Sequence, residues 1–336
     1  MNRIGKQTII FKNTPKISAT ASIVGKKEGE GPLSAYFDVI VSDEKVNEDS
    51  WEKAESKFQQ MAVKKVIEKA SVCECDIDML YGGDLLNQCT GANYGLKDMR
   101  IPFFGLYGAC STFCESMLLS AISVDGGYSK RSICVTSSHF CSAEKQFRMP
   151  LSYGGQRPPS AQWTVTASGA AVIENKGSIK ITMATPGRIV DMGINDANNM
   201  CTAMAPAACD TLTALFNDTD TTPDDYDMII TGDLGTIGSD ILCELLYNNG
   251  YDIKPQHYDC GCLIYDIERQ DVHSGGSGCG CIASVFCSYI YNKFMNNEIN
   301  KIILMATGAL MNTQALYQGG CIPAIAHALI LEGDRN

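Results

Sequence analysis

The sequence predicts an α/β protein built from two duplicated halves, packed side by side as five alternating layers of helix and sheet (αβαβα). Three observations carry that prediction. Residues 78–85 read DMLYGGDL and residues 227–234 read DMIITGDL, so the two align without a gap at an offset of 149 positions; a repeat on that scale governs any finer reading of the fold. Apolar strands alternate with helical stretches along the chain, the pattern of sheets covered on both faces. Finally, 336 residues with 45% hydrophobic side chains suffice for about two domains or two fused halves around a sizeable core.

Each copy of the repeat sits in the same series of elements. A helical stretch over 58–70 and an acidic turn over 73–78 precede the first; 207–216 and 218–227 precede the second. Each copy is a short apolar run ending in Gly-Asp, as a buried strand running into a loop should be. Downstream, Gly108-Ala109-Cys110-Ser111 opens an apolar helix over 113–124, and a strand over 133–136 follows. In the second half the Gly-rich run 275–281 opens a helix over 282–294, and a strand over 302–307 follows. The halves are expected at 1–175 and 176–336, joined at Glu174-Asn175-Lys176-Gly177. Ligands of such sheets sit beyond the carboxyl ends of strands, where Gly82-Gly83-Asp84 and Thr231-Gly232-Asp233 would lie.

Composition narrows the function classes. Only 19% of residues are charged, with 27 Lys and Arg against 38 Asp and Glu, a net charge of −11. Low charge with ordinary apolar content excludes intrinsic disorder. The acidic balance argues against nucleic acid and anionic membrane as broad electrostatic partners, though it leaves room for one small basic patch. No apolar stretch reaches the roughly 18 residues of a membrane span. The first eight residues lack the hydrophobic core of a signal peptide, so the protein is expected on the cytosolic side of whatever membrane it meets.

Of the sixteen cysteines, three pairs stand at Cys-x-Cys spacing: Cys73/Cys75, Cys260/Cys262 and Cys279/Cys281. That spacing is a poor match to structural zinc, whose ligands stand two to four residues apart. The plain alternative is small buried thiols in a reducing compartment, unbridged because one intervening residue gives poor disulfide geometry.

Cys110 is the most informative single residue. It follows Gly108-Ala109 and precedes Ser111-Thr112, where a loop turns into a helix. The positive end of a helix dipole favours thiolate, and small neighbours let a substrate approach closely. The competing reading is one more buried thiol.

The segment 108–112 with its apolar helix, the strand end Val135-Thr136-Ser137-Ser138, and the stretch Thr166-Ala167-Ser168-Gly169-Ala170-Ala171-Val172 together resemble the nucleophile segment and following strand of the thiolase superfamily. That resemblance implies a thiolase-like fold with Cys110 at the nucleophile position. Condensing enzymes of the superfamily add a His, and a second His or Asn, from the C-terminal half. Here the loop that should carry the His reads Thr231-Gly232-Asp233-Leu234-Gly235, and the later loop reads Ser274-Gly275-Gly276-Ser277-Gly278-Cys279-Gly280-Cys281. His273 and His257 stand outside any such motif. An aspartate at 233 opposes thiolate formation by like-charge repulsion. Catalytic residues are therefore not assigned; a thiolase- or ketoacyl-synthase-type acyltransferase using Cys110 is kept as the alternative.

A closer set of motifs runs from the eighties to about 310. It comprises residues 83–88, 104–112 and 137–139, then Ala143-Glu144-Lys145-Gln146-Phe147-Arg148, Tyr153-Gly154-Gly155-Gln156-Arg157-Pro158 and Ala203-Met204-Ala205-Pro206-Ala207-Ala208, and last the Gly-Cys loop and Ala306-Thr307-Gly308-Ala309-Leu310. Together these resemble the stage V sporulation protein AD family. The resemblance implies a non-condensing, thiolase-fold protein of spore-forming bacteria. Such a protein would bind dipicolinic acid, or its calcium chelate, and support its uptake into the developing spore with membrane proteins of the same set. It also implies peripheral association with the cytoplasmic side of the forespore or spore inner membrane, while the thiolase-fold resemblance implies a homodimer whose two-fold partner extends the sheet across the N-terminal halves. Uptake, release on germination, or both stay open.

Dipicolinic acid is a flat pyridine dicarboxylate, so its site should offer an apolar slot, hydrogen-bond donors and compensation for two negative charges. The candidate ligand-binding residues are Asp84, Cys110, Ser111, Ser137, His139 and Arg148. The amides near Cys110 and Ser111 favour anions, while Ser137, Ser138 and His139 end a strand that should face the same cleft. Arg148, Lys145 and Arg157 could cover it, or serve as solvated loop charges or an intersubunit contact. Asp84 could meet the chelate through Ca²⁺, or cap its loop as Asp233 would in the other half. For His139, ligand binding stands beside a satisfied internal histidine. No cofactor is expected beyond Ca²⁺ carried in the ligand, and no metal site of the protein's own.

Overall fold

The computed structural model describes residues 2–147 and 157–334. Ten principal strands fall into two sets of five. The first set comprises β1 (Lys16–Val24), β2 (Met79–Gly83), β3 (Phe103–Gly105), β4 (Arg131–Ser138) and β5 (Ala167–Glu174). The second comprises β6 (Ile179–Thr185), β7 (Met228–Gly232), β8 (His257–Asp259), β9 (Lys301–Ala309) and β10 (Ala324–Gly333).

Both sets have the same order and sense. The first runs β3-β2-β4-β5-β1 and the second β8-β7-β9-β10-β6. In each, three strands run parallel, the fourth runs antiparallel to the third, and the fifth antiparallel to the fourth. The register repeats too: Met79 pairs with Ser132 and Gly83 with Thr136, as Met228 pairs with Ile302 and Gly232 with Ala306. The two sheets touch edge to edge where β1 meets β6, through Ile17/Ile179 and Lys16/Lys180. The mixed α/β fold and its duplication are those the repeat predicted.

Seven helices complete the layers: α1 (Trp51–Ala70), α2 (Thr90–Leu96), α3 (Thr112–Asp125), α4 (Phe140–Phe147), α5 (Cys201–Thr219), α6 (Gly235–Asn248) and α7 (Cys279–Val285). Helix α7 continues through a π turn into Tyr291–Met295. Helices α1 and α2 cover the outer face of the first sheet, α5 and α6 that of the second, and α3 and α7 lie between the sheets, touching both. A helix with two sheets to satisfy is apolar nearly all round, and α3 buries Phe113, Cys114, Met117, Leu118, Ala121 and Val124. Three cores result: one around α3 and α7, and one beneath each outer layer.

Element ends differ from the sequence prediction where a cap decides them. Helix α1 starts at Trp51, seven residues before the expected start, because the Ser50 hydroxyl accepts the Lys53 N–H at 3.3 Å; a polar N-cap extends a helix past its apolar stripe. The carboxyl ends of β2, β4, β7 and β9 and the amino ends of α3 and α7 converge on one region, and the candidate site lies there.

Candidate functional site

Cys110 stands on a tight elbow between β3 and α3. Ala109 takes a left-handed conformation, φ 51°, which a non-glycine residue adopts only where its surroundings enforce it. The enforcement is visible. The Ser111 hydroxyl donates to the Gly108 carbonyl at 2.6 Å, the Thr112 hydroxyl donates to the Ala109 carbonyl at 2.6 Å, and the Thr112 oxygen accepts the Gly108 N–H at 3.0 Å. Gly308, at the end of β9, presses on the elbow from the other half: a Cβ there would lie 2.1 Å from the Gly108 carbonyl oxygen.

Cys110 lines a narrow, mostly apolar pocket with a cavity volume of about 50 Å³. Leu85 and Tyr107 come from the first half, Ala143, Glu144 and Phe147 from α4, and Met200, Met204, Ala309 and Met311 from the second half. Gln162, Thr164 and Ser277 supply further polar groups. The Thr164 hydroxyl donates to Glu144 at 3.4 Å, and the Gln162 amide donates to the Asp233 and Gly276 carbonyls at 2.7 and 3.3 Å. The described lining residues include a carboxylate, Glu144, and neither lysine nor arginine.

Behind the thiol lies Asp233. It is fully buried, with φ 75°. One carboxyl oxygen accepts the Gly278 N–H; the other has no hydrogen-bond partner. Burial, then the neighbouring Asp259 carboxylate, push the Asp233 carboxyl well above the usual range. Burial, then Asp233 itself, push the Cys110 thiol well above its ordinary range as well. Both shifts favour the protonated forms, thiol and carboxylic acid. Gly278 is forced into place by Ser138, whose hydroxyl accepts the Gly280 N–H at 3.1 Å and donates to the Val165 carbonyl at 2.7 Å. Its φ of 110° and a Cβ clash with Ser138 at 2.5 Å require glycine there.

All four histidines are engaged elsewhere. His139 is buried, its Nε2 3.0 Å from the Glu44 carbonyl and its ring 5.4 Å from Trp51 and 5.9 Å from Phe58. His257 meets the Thr231 hydroxyl at 2.8 Å. His327 accepts the Gly187 N–H at 3.1 Å, and His273 faces Asp271 at 3.8 Å.

Of the six residues named from the sequence as ligand-binding, the pocket brings only Cys110 to its lining among the described residues. The others have internal partners. Asp84 accepts the Leu86 and Ala92 N–H groups at 2.8 and 2.7 Å, the capping alternative. Ser111 braces the elbow. Ser137 points to the other face of β4, as strand alternation demands, and donates to the buried Glu55 at 3.3 Å. His139 is the satisfied internal histidine. Arg148 lies outside the described residues. Lys145 pairs with Glu52 at 2.6 Å, and Arg157 stacks over Trp163 at 4.9 Å. The reverse also holds: Tyr107, Glu144, Gln162, Thr164 and Met204 line the pocket without having been named as ligands. Tyr107, Glu144 and Met204 stand inside the motif segments, yet nothing in their residue type sets them apart from ordinary helix and loop positions.

Comparison with known proteins places this geometry in context. Residues 5–332 match the family described as Stage V sporulation protein AD. A protein of that name from Bacillus subtilis (strain 168) is 44% identical over 333 residues, which cover 99% of this chain and 98% of that one. Solved structures with the same fold include 3-oxoacyl-[acyl-carrier-protein] synthase III from Aquifex aeolicus VF5, with a TM-score of 0.58, 12% identity, and coverage of 95% of this chain and 99% of that one. The priming β-ketosynthase of the R1128 polyketide pathway gives a TM-score of 0.59 at 12% identity, covering 99% of both chains. At such identities the likeness concerns the fold.

Proposed function

The chain belongs to the stage V sporulation protein AD family, and from that premise we propose that it is a non-catalytic binding protein for dipicolinic acid, supporting uptake into the developing spore alongside membrane proteins of the same set. One observation carries the non-catalytic part. The thiol at the nucleophile position faces a buried carboxyl rather than an imidazole. Acyl transfer needs a thiolate and a donor for the oxyanion, and a carboxyl whose burial favours its protonated form, beside a thiol shifted the same way, is a poor base for it.

The lining of the same pocket carries the chemistry a flat aromatic acid needs, and at about 50 Å³ the cavity has to widen to admit one. Its walls are apolar, and Gln162, Thr164, Tyr107 and the Cys110 thiol offer polar contacts. Charge selects the form of the ligand. A calcium chelate brings its own positive charge, and a carboxylate oxygen such as that of Glu144 is a ligand of the kind that ion takes. The chelate is therefore the favoured ligand, with calcium part of the cargo and Arg148 the candidate for any residual negative charge.

Calorimetric titration with dipicolinate, with and without calcium, tests the reading. Tighter binding with calcium is expected; Cys110→Trp should abolish it by filling the pocket, and Cys110→Ser should retain it. Equal binding by the Trp variant would move the ligand elsewhere. The alternative, acyl transfer through Cys110, draws support from the condensing enzymes that share the fold. An acyl adduct seen by intact mass after incubation with acyl-CoA, and lost in Cys110→Ala, would establish it.

Two coarser expectations join the proposal. A homodimer would pair the exposed edge of β3, where Phe104 is 50% exposed, because an open apolar edge strand invites pairing; Phe104→Glu should yield monomer in sedimentation. Among the described residues no helix is long and apolar enough to cross a membrane, which is compatible with peripheral association at the forespore membrane.

A further inference from the structure

Outside the Cys110 pocket lies a second cavity, and the two share a wall. Tyr107, Phe147 and Met311 line both. The outer cavity measures about 350 Å³ against about 50 Å³ for the inner one. Of the two, only the outer reaches the roughly 300–1,000 Å³ of small-molecule sites.

Its chemistry also differs. Five of its lining residues carry a carboxamide: Asn87 and Gln88 from the loop between β2 and α2, Gln146 from α4, and Asn312 and Gln314 from the segment after β9. Two of the five are steadied by their oxygens. The Asn87 side-chain oxygen accepts the Gln146 amide at 3.3 Å, and the Gln146 oxygen accepts the Asn87 backbone N–H at 3.0 Å. The Asn312 oxygen caps the short helix Thr313–Tyr317 by accepting the Ala315 N–H at 3.0 Å. Among the described residues, nothing hydrogen-bonds the side chains of Gln88 and Gln314 or the Tyr107 hydroxyl.

The loop that carries Gln88 is held at a cost. Gln88 and Cys89 both take a left-handed backbone, φ 56° and 52°, which successive non-glycine residues adopt only where contacts enforce it. The Gln88 carbonyl accepts the Asn93 amide at 2.7 Å, and the Cys89 thiol donates to the Leu106 carbonyl at 3.2 Å. Glycine at 88 would make the same turn without strain. What glycine would not supply is the carboxamide.

We infer that this amide-lined vestibule is a docking site of its own for a chelate of a hard divalent cation with an aromatic dicarboxylate, occupied before the ligand passes Tyr107, Phe147 and Met311 into the Cys110 pocket. The inference rests on the ligand proposed above and adds where that ligand is first held. A carboxamide is donor and acceptor in one group. Its N–H groups suit carboxylate oxygens and its carbonyl oxygen is a calcium ligand, so a ring of them addresses both parts of one chelate. A free dicarboxylate engages the donors alone. Size sets the order: the outer cavity takes the ligand as it stands, whereas the inner one first has to widen.

The test uses the full chain carrying Cys110→Trp, which fills the inner pocket, and saturation-transfer NMR on the ring protons of dipicolinate. Docking in the vestibule is the weaker contact, which this measurement reads and calorimetry does not. With calcium present the variant should still transfer saturation to the ring. Adding Gln88→Gly and Gln314→Ala should weaken that contact about tenfold, a neutral hydrogen bond being lost at each. Both positions are exposed and Gln88→Gly keeps the left-handed turn, so the melting temperature should hold. In the otherwise wild-type chain the same pair should slow association of the chelate about tenfold in stopped-flow tryptophan fluorescence, leaving the final affinity within about twofold. Transfer that survives the pair, an unchanged association rate, or equal transfer with calcium-free dipicolinate would overturn the vestibule. So would no transfer in Cys110→Trp while the wild type binds, an outcome that leaves the Cys110 pocket as the site. Transfer that the pair removes, in a protein whose wild type shows no tighter binding, would uphold the vestibule and overturn the pocket instead.

Discussion

The two copies of the repeat begin alike and end differently. At their entry, Asp78 accepts the Lys130 and Arg131 N–H groups at 2.6 and 3.1 Å, and Asp227 accepts those of Asn300 and Lys301 at 2.6 and 2.9 Å. Each acid ties its strand to the strand beside it in the same way. At the exit the likeness stops. Asp84 spends both oxygens on backbone amides and fixes the loop into α2. Asp233 gives one oxygen to Gly278 and leaves the other unpartnered, while the amides that follow it, Leu234 and Gly235, go to Asp259 at 3.1 and 3.0 Å. The capping role has passed to β8, and the freed carboxyl lies against Cys110. Equal local sequence thus sets the strand and its turn; the element that arrives at the strand end decides what the last side chain does.

Substitutions at these two acids sharpen the contrast. The largest effect is expected for Asp84→Ala, which strands two buried N–H groups at a cost of about 2–4 kcal/mol; urea unfolding should show a midpoint well below that of Asp233→Ala. A comparable loss in both variants would mean that Asp233 is structural after all.

Next comes pH dependence. The folded-state pKa of Asp233 is raised by burial, so the folded state holds that proton longer than the unfolded chain does. Its contribution is fully present below the unfolded value near 3.8 and is lost as pH rises toward the folded value, by up to about 1.4 kcal/mol per pH unit. Asp233→Asn removes the titration. The variant should lose less stability than the wild type between pH 5 and pH 8, and parallel melting curves would refute the assignment. The same variant should raise the alkylation rate of Cys110 by iodoacetamide about tenfold at pH 8, since an amide no longer opposes thiolate formation; an unchanged rate would separate the thiol from Asp233.

The smallest effect is expected at His139. Its ring contacts lie away from the pocket, so His139→Gln should change dipicolinate affinity by less than about twofold while costing about 1 kcal/mol of stability through the lost Glu44 contact. A large affinity loss with intact stability would return His139 to the site.

Much of the fold was legible in the chain because it rests on short-range chemistry stated twice. Apolar runs ending in Gly-Asp and a glycine-flanked cysteine before an apolar helix each act within a few residues of themselves. The demand for glycine at 278 does not belong to that class, since Ser138 from a distant strand imposes it. The pocket was less legible. Ser137 and His139 end a strand that points the right way, but a strand offers two faces; Ser138, one residue from each, meets the glycine loop instead. Tyr107, Gln162 and Met204 reach the pocket from separate segments, and no local pattern marks them.

By itself, then, the sequence determined the duplicated α/β architecture and the position of Cys110 on its elbow, because periodicity and glycine stereochemistry are properties of neighbouring residues. Only the tertiary structure decided which side chains face the pocket, that Asp84 caps while Asp233 does not, and that two of sixteen thiols stand open to solvent. Those outcomes depend on burial and on partners drawn from distant strands, and burial is fixed only when the sheets and helices have packed.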